Sequence, residues 1–430
     1  MKKTYFWLMA LVMLVTMGGF IGAAGKEVTL RYARWGIPDE LSGTKVMLNA
    51  FMKANPNIKV TLEASSWDTY WEKLQTQVAS DEVADVFLFD GGWYLNQFAP
   101  KGVLMDLAPL MKRDGIKKTD YYNVWDTFTY KNKIYSIPRD YNAIVMFYNK
   151  DLFAKAGIKD YPSGNMSWDQ VIELAKKLTL DNKGRNANDP GFDPDNIDQY
   201  GLFVATADID QVLETFTFQS GGQLISPDGQ KFFIDSPKVK KVIQFLYDLT
   251  WKYHVKPTPA AVAKFQDVYF QTGKFAMVYQ GSWQVSQLNG VTFDWDVAVA
   301  PTFGKKIYCV QSVGNSMYAK TKHPKEAWKL IRFLCGKEGQ TIMAKEGDAI
   351  PVLKEVAMSP AFLNPSQKPL NKKAYFESAV GIVPYISFPK KGEIFERINQ
   401  DLESAYNNKK TVEAAIKACK QDVERIINLD

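Results

Sequence analysis

Trp35, Trp67 and Trp93 each follow a short apolar run, and a carboxylate stands close to each: Asp39, Asp68 and Asp90. A flat ring beside a planar acceptor suits a ligand with one apolar face and a rim of groups that donate and accept hydrogen bonds. Other chemistries find little here. His254 and His323 are the only histidines, and neither adjoins a ligand-type or nucleophilic residue, which argues against His-based catalysis and His-rich metal capture. Cys309, Cys335 and Cys419 show no paired spacing, so a disulfide framework, structural zinc and haem attachment drop out, and no cofactor is expected. Asp181, Asn182, Asp189, Asp193, Asp195, Asn196 and Asp198 offer oxygen donors of the kind calcium takes. The stretch lacks the glycine and closing glutamate of an EF-hand loop, so Asx turns in a solvated hairpin are expected and no metal site is assigned.

The hydrophobic period gives the elements that carry the three Trp loops. Val28, Leu30 and Tyr32 alternate as in a strand, and Val46, Met47, Ala50, Phe51 and Ala54 share one helical face that stops at Asn55-Pro56. Ile58 to Leu62 reads as a second strand, Tyr70, Leu74 and Val78 as a second helix, and Asp85 to Phe89 as a short strand ending at Asp90-Gly91-Gly92. Strand, helix, strand, helix, strand builds a parallel sheet whose ligands bind beyond the carboxyl ends of its strands, where the three Trp loops fall on one rim. Further along, Ser167 and Gln170 have capping-box spacing before Val171 to Leu178. Phe275 to Tyr279 reads as a strand, with Ser282 able to cap a further helix, and Pro324 and Gly336 bracket a helix over Lys325 to Cys335. Trp168, Trp251, Trp295 and Trp328 lie inside periodic apolar patterns and are expected in the core.

A chain of 430 residues with 46% apolar residues exceeds one hydrophobic core and predicts two lobes. Lys2 and Lys3 precede an apolar run from Tyr5 to Ile21 that ends in Gly22, Ala23, Ala24 and Gly25, the form of a secretory leader cleaved after Ala24. No Cys sits at that junction, so an exported, periplasmic or secreted protein without a lipid anchor is expected. Loss of residues 1 to 24 removes Lys2 and Lys3 and lowers the net charge from +6 to +4. That charge is spread along the chain, so no nucleic-acid or membrane partner is assigned.

Tyr148-Asn-Lys-Asp-Leu-Phe-Ala-Lys-Ala-Gly157 resembles the signature of the extracellular solute-binding proteins of ABC sugar importers, the family that includes maltose-binding protein. Other segments match in the same order. Tyr130 to Pro138 lies upstream, with Asn132 where the family usually has glycine. Ser167-Trp168-Asp169, Gly273 to Met277, Gly281-Ser282-Trp283, Ser312 to Met317 and His323 to Trp328 lie downstream. The resemblance implies an α/β periplasmic-binding-protein fold, two α/β lobes joined by a three-segment hinge that close on a sugar, and an ABC permease that reads the closed form. It places crossings near Pro138 to Asn142, Ala300 to Phe303 and Gly347 to Val352. One lobe then holds residues 25–138 plus 303–347 and the other 143–299 plus 352–430. A monomer is expected, because a partner on either lobe obstructs closure.

A pyranose has an apolar C–H face and a hydroxyl rim, so the rim residues Trp35, Asp39, Trp67, Asp90 and Trp93 agree with a carbohydrate ligand. The resemblance adds Trp283, where the family closes a Trp over a sugar ring, and Arg139, Asp140, Tyr141, Gly314, Asn315 and Asp348 at the crossings. Glu214 and Tyr385 lie in segments that line the second lobe's side of the cleft in relatives. Arg139 departs from the family pattern. It either pairs with the carboxylate of an acidic sugar or a glycerol phosphodiester, or salt-bridges Asp140 or Asp90. A secreted glycoside hydrolase is the rival from another class, but acids on separate lobes change separation on closure, whereas hydrolysis needs two carboxyls at fixed distance. No catalytic residue is assigned.

Overall fold

The structure, a computed structural model, describes residues 27–36, 38–164, 166–265, 269–309, 311–378, 382–383 and 387–429, without the side chains of Asp39, Cys309, Ile382 and Val383. Its first stretch runs β1 (Val28–Trp35), α1 (Pro38–Ala54), β2 (Ile58–Ser65), α2 (Trp67–Ser80), β3 (Val86–Asp90) and α3 (Gly91–Phe98), the alternation expected from the sequence. β1 pairs in parallel with β2, from Val28 opposite Ile58 to Trp35 opposite Ser65, and with β3 at Tyr32 opposite Val86. All three carboxyl ends therefore open on one edge.

The further strands that build the two main sheets and the hinge are β4 (Ser136–Pro138), β5 (Asp140–Tyr141), β6 (Ile144–Asn149), β7 (Phe203–Val204), β8 (Met277–Gly281), β9 (Trp295–Val299), β10 (Val313–Met317) and β11 (Ile350–Pro351). They complete a first sheet of order β2-β1-β3-β10-β4 and a second of order β7-β8-β6-β9. The first sheet is mixed, because β10 runs antiparallel to β3 and β4. β6 is buried along its whole length between antiparallel β8 and β9, which accounts for the unbroken apolar run Ile144–Tyr148. Gly314 lets β10 sit tight against β4: a Cβ there meets the Ile137 carbonyl oxygen at 2.8 Å and Ser136 Cβ at 2.9 Å.

The chain passes between the sheets at three places, and hydrogen bonds tie these together. β5 and β11 form a two-stranded ribbon pairing Tyr141 with Ile350. The Asn142 N–H donates to the Gln311 carbonyl at 2.7 Å, and Ser312 Oγ donates to the Asp140 carbonyl at 2.6 Å. The crossing expected near Ala300 to Phe303 falls later. Phe303 still packs with Trp168, Phe216 and Phe245, 4.7 Å from the last ring, on the second sheet's side, and the chain joins the first sheet only at Val313. Aromatic burial holds those residues back.

Helices α4 (Trp168–Leu178) and α5 (Pro237–Trp251) belong to the second half; α6 (Pro324–Cys335) and α7 (Lys337–Glu346) cover the first; α8 (Lys391–Tyr406) and α9 (Val412–Asn428) pack on α5. The capping box at α4 forms as read, with Ser167 Oγ accepting from the Gln170 N–H and Gln170 Oε1 from the Ser167 N–H. Pro324 begins α6 and Gly336 comes directly after it. Trp168, Trp295 and Trp328 are buried; Trp251 is half-buried, its indole N–H donating to the Tyr406 carbonyl at 3.0 Å. Ser282 does not cap the 3₁₀ turn Ser282–Leu288, since Gly281 takes the capping position and Ser282 Oγ donates to Asn142 Oδ1 at 3.4 Å. In the 181–200 stretch Asp181 accepts from the N–H groups of Lys183, Arg185 and Asp193 and from the Arg185 guanidinium, and Asn186 and Asp193 make Asx turns. Burial works against ionisation there, but these donors hold the Asp181 carboxyl below the usual range.

Candidate functional site

Between the two sheets lies a cavity of about 910 Å³, bounded by the carboxyl ends of β1 and β3 on one side and by the turns after β7 and β8 on the other. Its size is near the top of the range for small-molecule sites and accommodates more than one ring.

The first wall is aromatic. α2 begins at Trp67 and α3 at Gly91, so Trp67, Trp93 and Tyr94 project from first turns at the sheet edge where β1 ends in Trp35. Trp35 meets Trp67 edge-on at 4.9 Å, and Trp71 stacks on Tyr94 at 3.6 Å, so the lining rings rest on a second layer of rings. Edge and offset pairs of this kind contribute about 0.5–1.5 kcal/mol each beyond burial and fix the ring planes. Trp67 remains 37% exposed, an apolar face turned to solvent at the mouth. Asp90 caps α3, its Oδ1 accepting from the Trp93 N–H at 3.2 Å.

The opposite wall is rich in amides. Gln211, Gln280, Gln284, Gln287 and Asn399 line it, joined by Asp208 and Asp210 from the turn that opens the wide helical segment Ile209–Glu214. Trp283 lies among them with its six-membered ring against the α-carbon of Gly281, where a Cβ meets the ring at 1.9 Å; this contact is why glycine precedes Ser282-Trp283. Amide groups present a donor and an acceptor in one plane, the partner a vicinal pair of hydroxyls needs.

The floor is the hinge. The Arg139 guanidinium pairs with both Asp140 and Asp348, all three buried, and Arg34 lies 3.9 Å from Asp348. Burial pushes the Asp140 carboxyl up to about 6 against the pull of Arg139. Burial opposes the charge on Arg139 too, but Asp348 and Asp140 raise it further above its ordinary value. Arg139 thus takes the salt-bridging course that the sequence left open; its partners are Asp140 and Asp348. On the walls, burial pushes Asp90 up to about 7, opposed by the Trp93 N–H and Lys391. Asp208 reaches about 7 through burial and the charge of Asp210.

Of the residues singled out from sequence, Trp35, Trp67, Asp90, Trp93, Arg139, Asp140, Trp283 and Asp348 line the cavity. Four do not. Tyr141 is buried among Tyr122 and Phe376, because β5 turns its ring away from the cleft and into the hinge core. Asn315 is spent inside the first sheet, accepting from Tyr32 Oη at 2.9 Å and donating to Cys335 Sγ at 3.2 Å, and Gly314 is closed off by β4. Glu214 stands behind the wall near Lys391 and Asp210, and its carboxyl rises to about 8 through burial. The Asp39 side chain and Tyr385 lie outside the described residues. Sequence reasoning missed Arg34, Tyr94, Asp208, Asp210 and the glutamines; Asp208 carried a cue, as an acid opening a helical turn after a short strand.

The sequence pattern of the bacterial extracellular solute-binding proteins matches residues 36–341. The chain belongs to that family. Among its relatives, a putative binding protein of Brucella abortus is 25% identical over 322 residues, 73% of this chain and 74% of the relative. An uncharacterized ABC transporter extracellular-binding protein of Pyrococcus horikoshii is 25% identical over 308 residues, 70% of this chain and 67% of that protein. Among solved structures, the ABC substrate-binding protein of Listeria monocytogenes in complex with cycloalternan superposes with a TM-score of 0.83 at 25% identity, covering 94% of this chain and 100% of that one. A maltose-bound protein of T. maritima gives 0.76 at 23% identity, covering 93% and 100%, a likeness of fold. The fold is that of the periplasmic solute-binding proteins, two α/β lobes about a cleft, and members of the family bind solutes outside the cell. Among the described residues no helix is long and apolar enough to cross a membrane.

Proposed function

We propose that this protein captures a carbohydrate, an oligosaccharide of neutral rings, by closing its two lobes, and hands it to the permease of an ABC importer. The observation that carries the reading is the pairing of an aromatic wall (Trp35, Trp67, Trp93, Tyr94) with an amide wall and Trp283 across one cleft. Rings cover the C–H faces of sugars while amides and carboxylates take the hydroxyls. The Listeria protein's complex with cycloalternan supports a saccharide ligand. In this reading one lobe comprises β1 to β4 with β10, α6 and α7, the other β6 to β9 with α8 and α9, and the crossings at β5, Gln311-Ser312 and β11 bend together as the hinge. An acidic ligand loses its support, because Arg139 is committed to Asp140 and Asp348.

A thermal-shift screen of the purified protein against neutral oligosaccharides, uronate oligosaccharides, glycerol phosphates and polyamines tests the reading. A ligand at a hundredfold excess over its dissociation constant adds roughly 3 kcal/mol to the folded state. A shift with a neutral saccharide, recovered unhydrolysed, is expected. Silence across every saccharide, or turnover of one, refutes the proposal.

A further inference from the structure

Lys391 opens α8 behind the cleft, buried and outside the cavity lining, and ligand capture as described above makes no use of it. Its ammonium lies 3.0 Å from Asp210 Oδ1, over the Trp93 ring at 5.1 Å and the Phe395 ring at 5.2 Å, and 3.4 Å from the Gly92 carbonyl oxygen. Asp210 and α8 belong to the second lobe; Gly92 and Trp93 belong to the first. One buried cation therefore touches both lobes, on the far side of a ring that lines the cleft. The seam continues around it. Phe395 meets Trp93 edge-on at 5.7 Å, and Ser387 and Asn96 are joined by hydrogen bonds across the lobes.

Among the described residues, the charged groups facing the ammonium are Asp90 from the end of β3 and Asp208, Asp210 and Glu214 from the turn of the second lobe. Burial raises Asp90, Asp208 and Glu214 into the neutral range, and the ammonium opposes that rise at all three, beside the Trp93 N–H at Asp90 and the Gln211 N–H at Asp208. A cation over a ring gains strength as water leaves, and its removal strands a buried carboxylate, so both contacts favour the state in which the lobes meet.

We propose that Lys391 is a positioning residue of solute capture: it draws the Trp93 wall onto the second lobe and sets how far the cleft is closed before any ligand arrives. The proposal rests on the two-lobe capture reading. The test is small-angle X-ray scattering of the ligand-free protein, wild type against K391M and K391R. It is read together with the Trp93 emission, taken as the difference between each protein and its W93F counterpart. K391M keeps the apolar stem and removes the charge; it is expected to lower the closed-to-open ratio roughly tenfold. That loss appears as a larger radius of gyration and a shifted Trp93 emission, and K391R restores most of both. W93F alone, which weakens the cation–ring contact and keeps the Asp210 pair, is expected to open the protein in the same direction by less, and it decides the matter if K391M does not fold. Scattering and emission unmoved by K391M, or scattering unmoved by W93F when K391M does not fold, overturn the proposal. A silent saccharide screen refutes the sugar reading while leaving this result standing, so the two failures are distinguishable.

Discussion

Replacing Arg139 by Met tests the hinge where its electrostatics are concentrated. The guanidinium is the shared partner of Asp140 and Asp348, and all three side chains are at most 6% exposed. Removing one member of a buried ion cluster costs about 3–5 kcal/mol, because the remaining charges keep their desolvation penalty and lose their counter-charge. Asp140 can escape by taking a proton. With Arg139 present it titrates at about 6; without the guanidinium its carboxyl rises further, so in R139M it is protonated at pH 5 and forced to ionise by pH 8. Folded-state values raised above the unfolded ones give stability that is present at low pH and lost as pH rises through them. The expected loss is therefore about 3–5 kcal/mol at pH 8 and roughly half that at pH 5, where only the charge-assisted hydrogen bonds are missing. Urea unfolding of wild type and R139M at the two pH values measures it, and adding D348N to R139M is expected to recover part of the loss at pH 8. A loss below about 1 kcal/mol at pH 8, or an equal loss at both pH values, refutes the argument.

The same geometry gives other expected outcomes. W67A removes a ring that is 37% exposed and meets its neighbours edge-on or tilted, so stability changes by less than about 1.5 kcal/mol. Affinity for the saccharide giving the largest thermal shift is expected to fall roughly thirtyfold by calorimetry, and unchanged affinity removes Trp67 from the site. Wild-type melting temperature is expected to decline from pH 5 to pH 8 as Asp90 ionises through about 7. D90N keeps the cap to the Trp93 N–H and flattens that slope, and an identical slope refutes the assignment. G314A places a Cβ 2.8 Å from the Ile137 carbonyl oxygen and is expected to cost about 1–3 kcal/mol in urea unfolding without altering saccharide affinity.

The sequence foretold the aromatic wall because local signals converge there: alternation ends at Trp35, a helix starts at Trp67, and Asp90 both ends a strand and caps a helix. Trp283 was legible through the Gly281-Ser282-Trp283 motif, whose glycine the ring contact explains. The hinge misled at single residues. Tyr141 and Asn315 sit at the expected places along the chain, yet side-chain direction at a crossing depends on which strand pairs with which, and no local pattern carries that. β10 comes between β3 and β4 from some 170 residues further along, which puts Asn315 in the first sheet's core. The amide wall and Asp210 were missed for a related reason. Their wide helical turn has no strong periodic signature, and their role appears only once α8 has folded back against them.

The placement of β10 also bears on how the chain reaches its folded state. The second sheet draws all its strands from residues 144–299, an unbroken stretch, whereas the first needs β10 from residues 313–317 as an inner strand. A chain emerging from its amino end can lay down β1 to β3 early, but β4 has no neighbour until β10 arrives. Through most of synthesis the first lobe is an incomplete sheet with β3 unpaired on one side, joined by long-range contacts that form slowly. The first lobe therefore cannot complete its sheet until residues 313–317 have emerged, after every strand of the second sheet is already available.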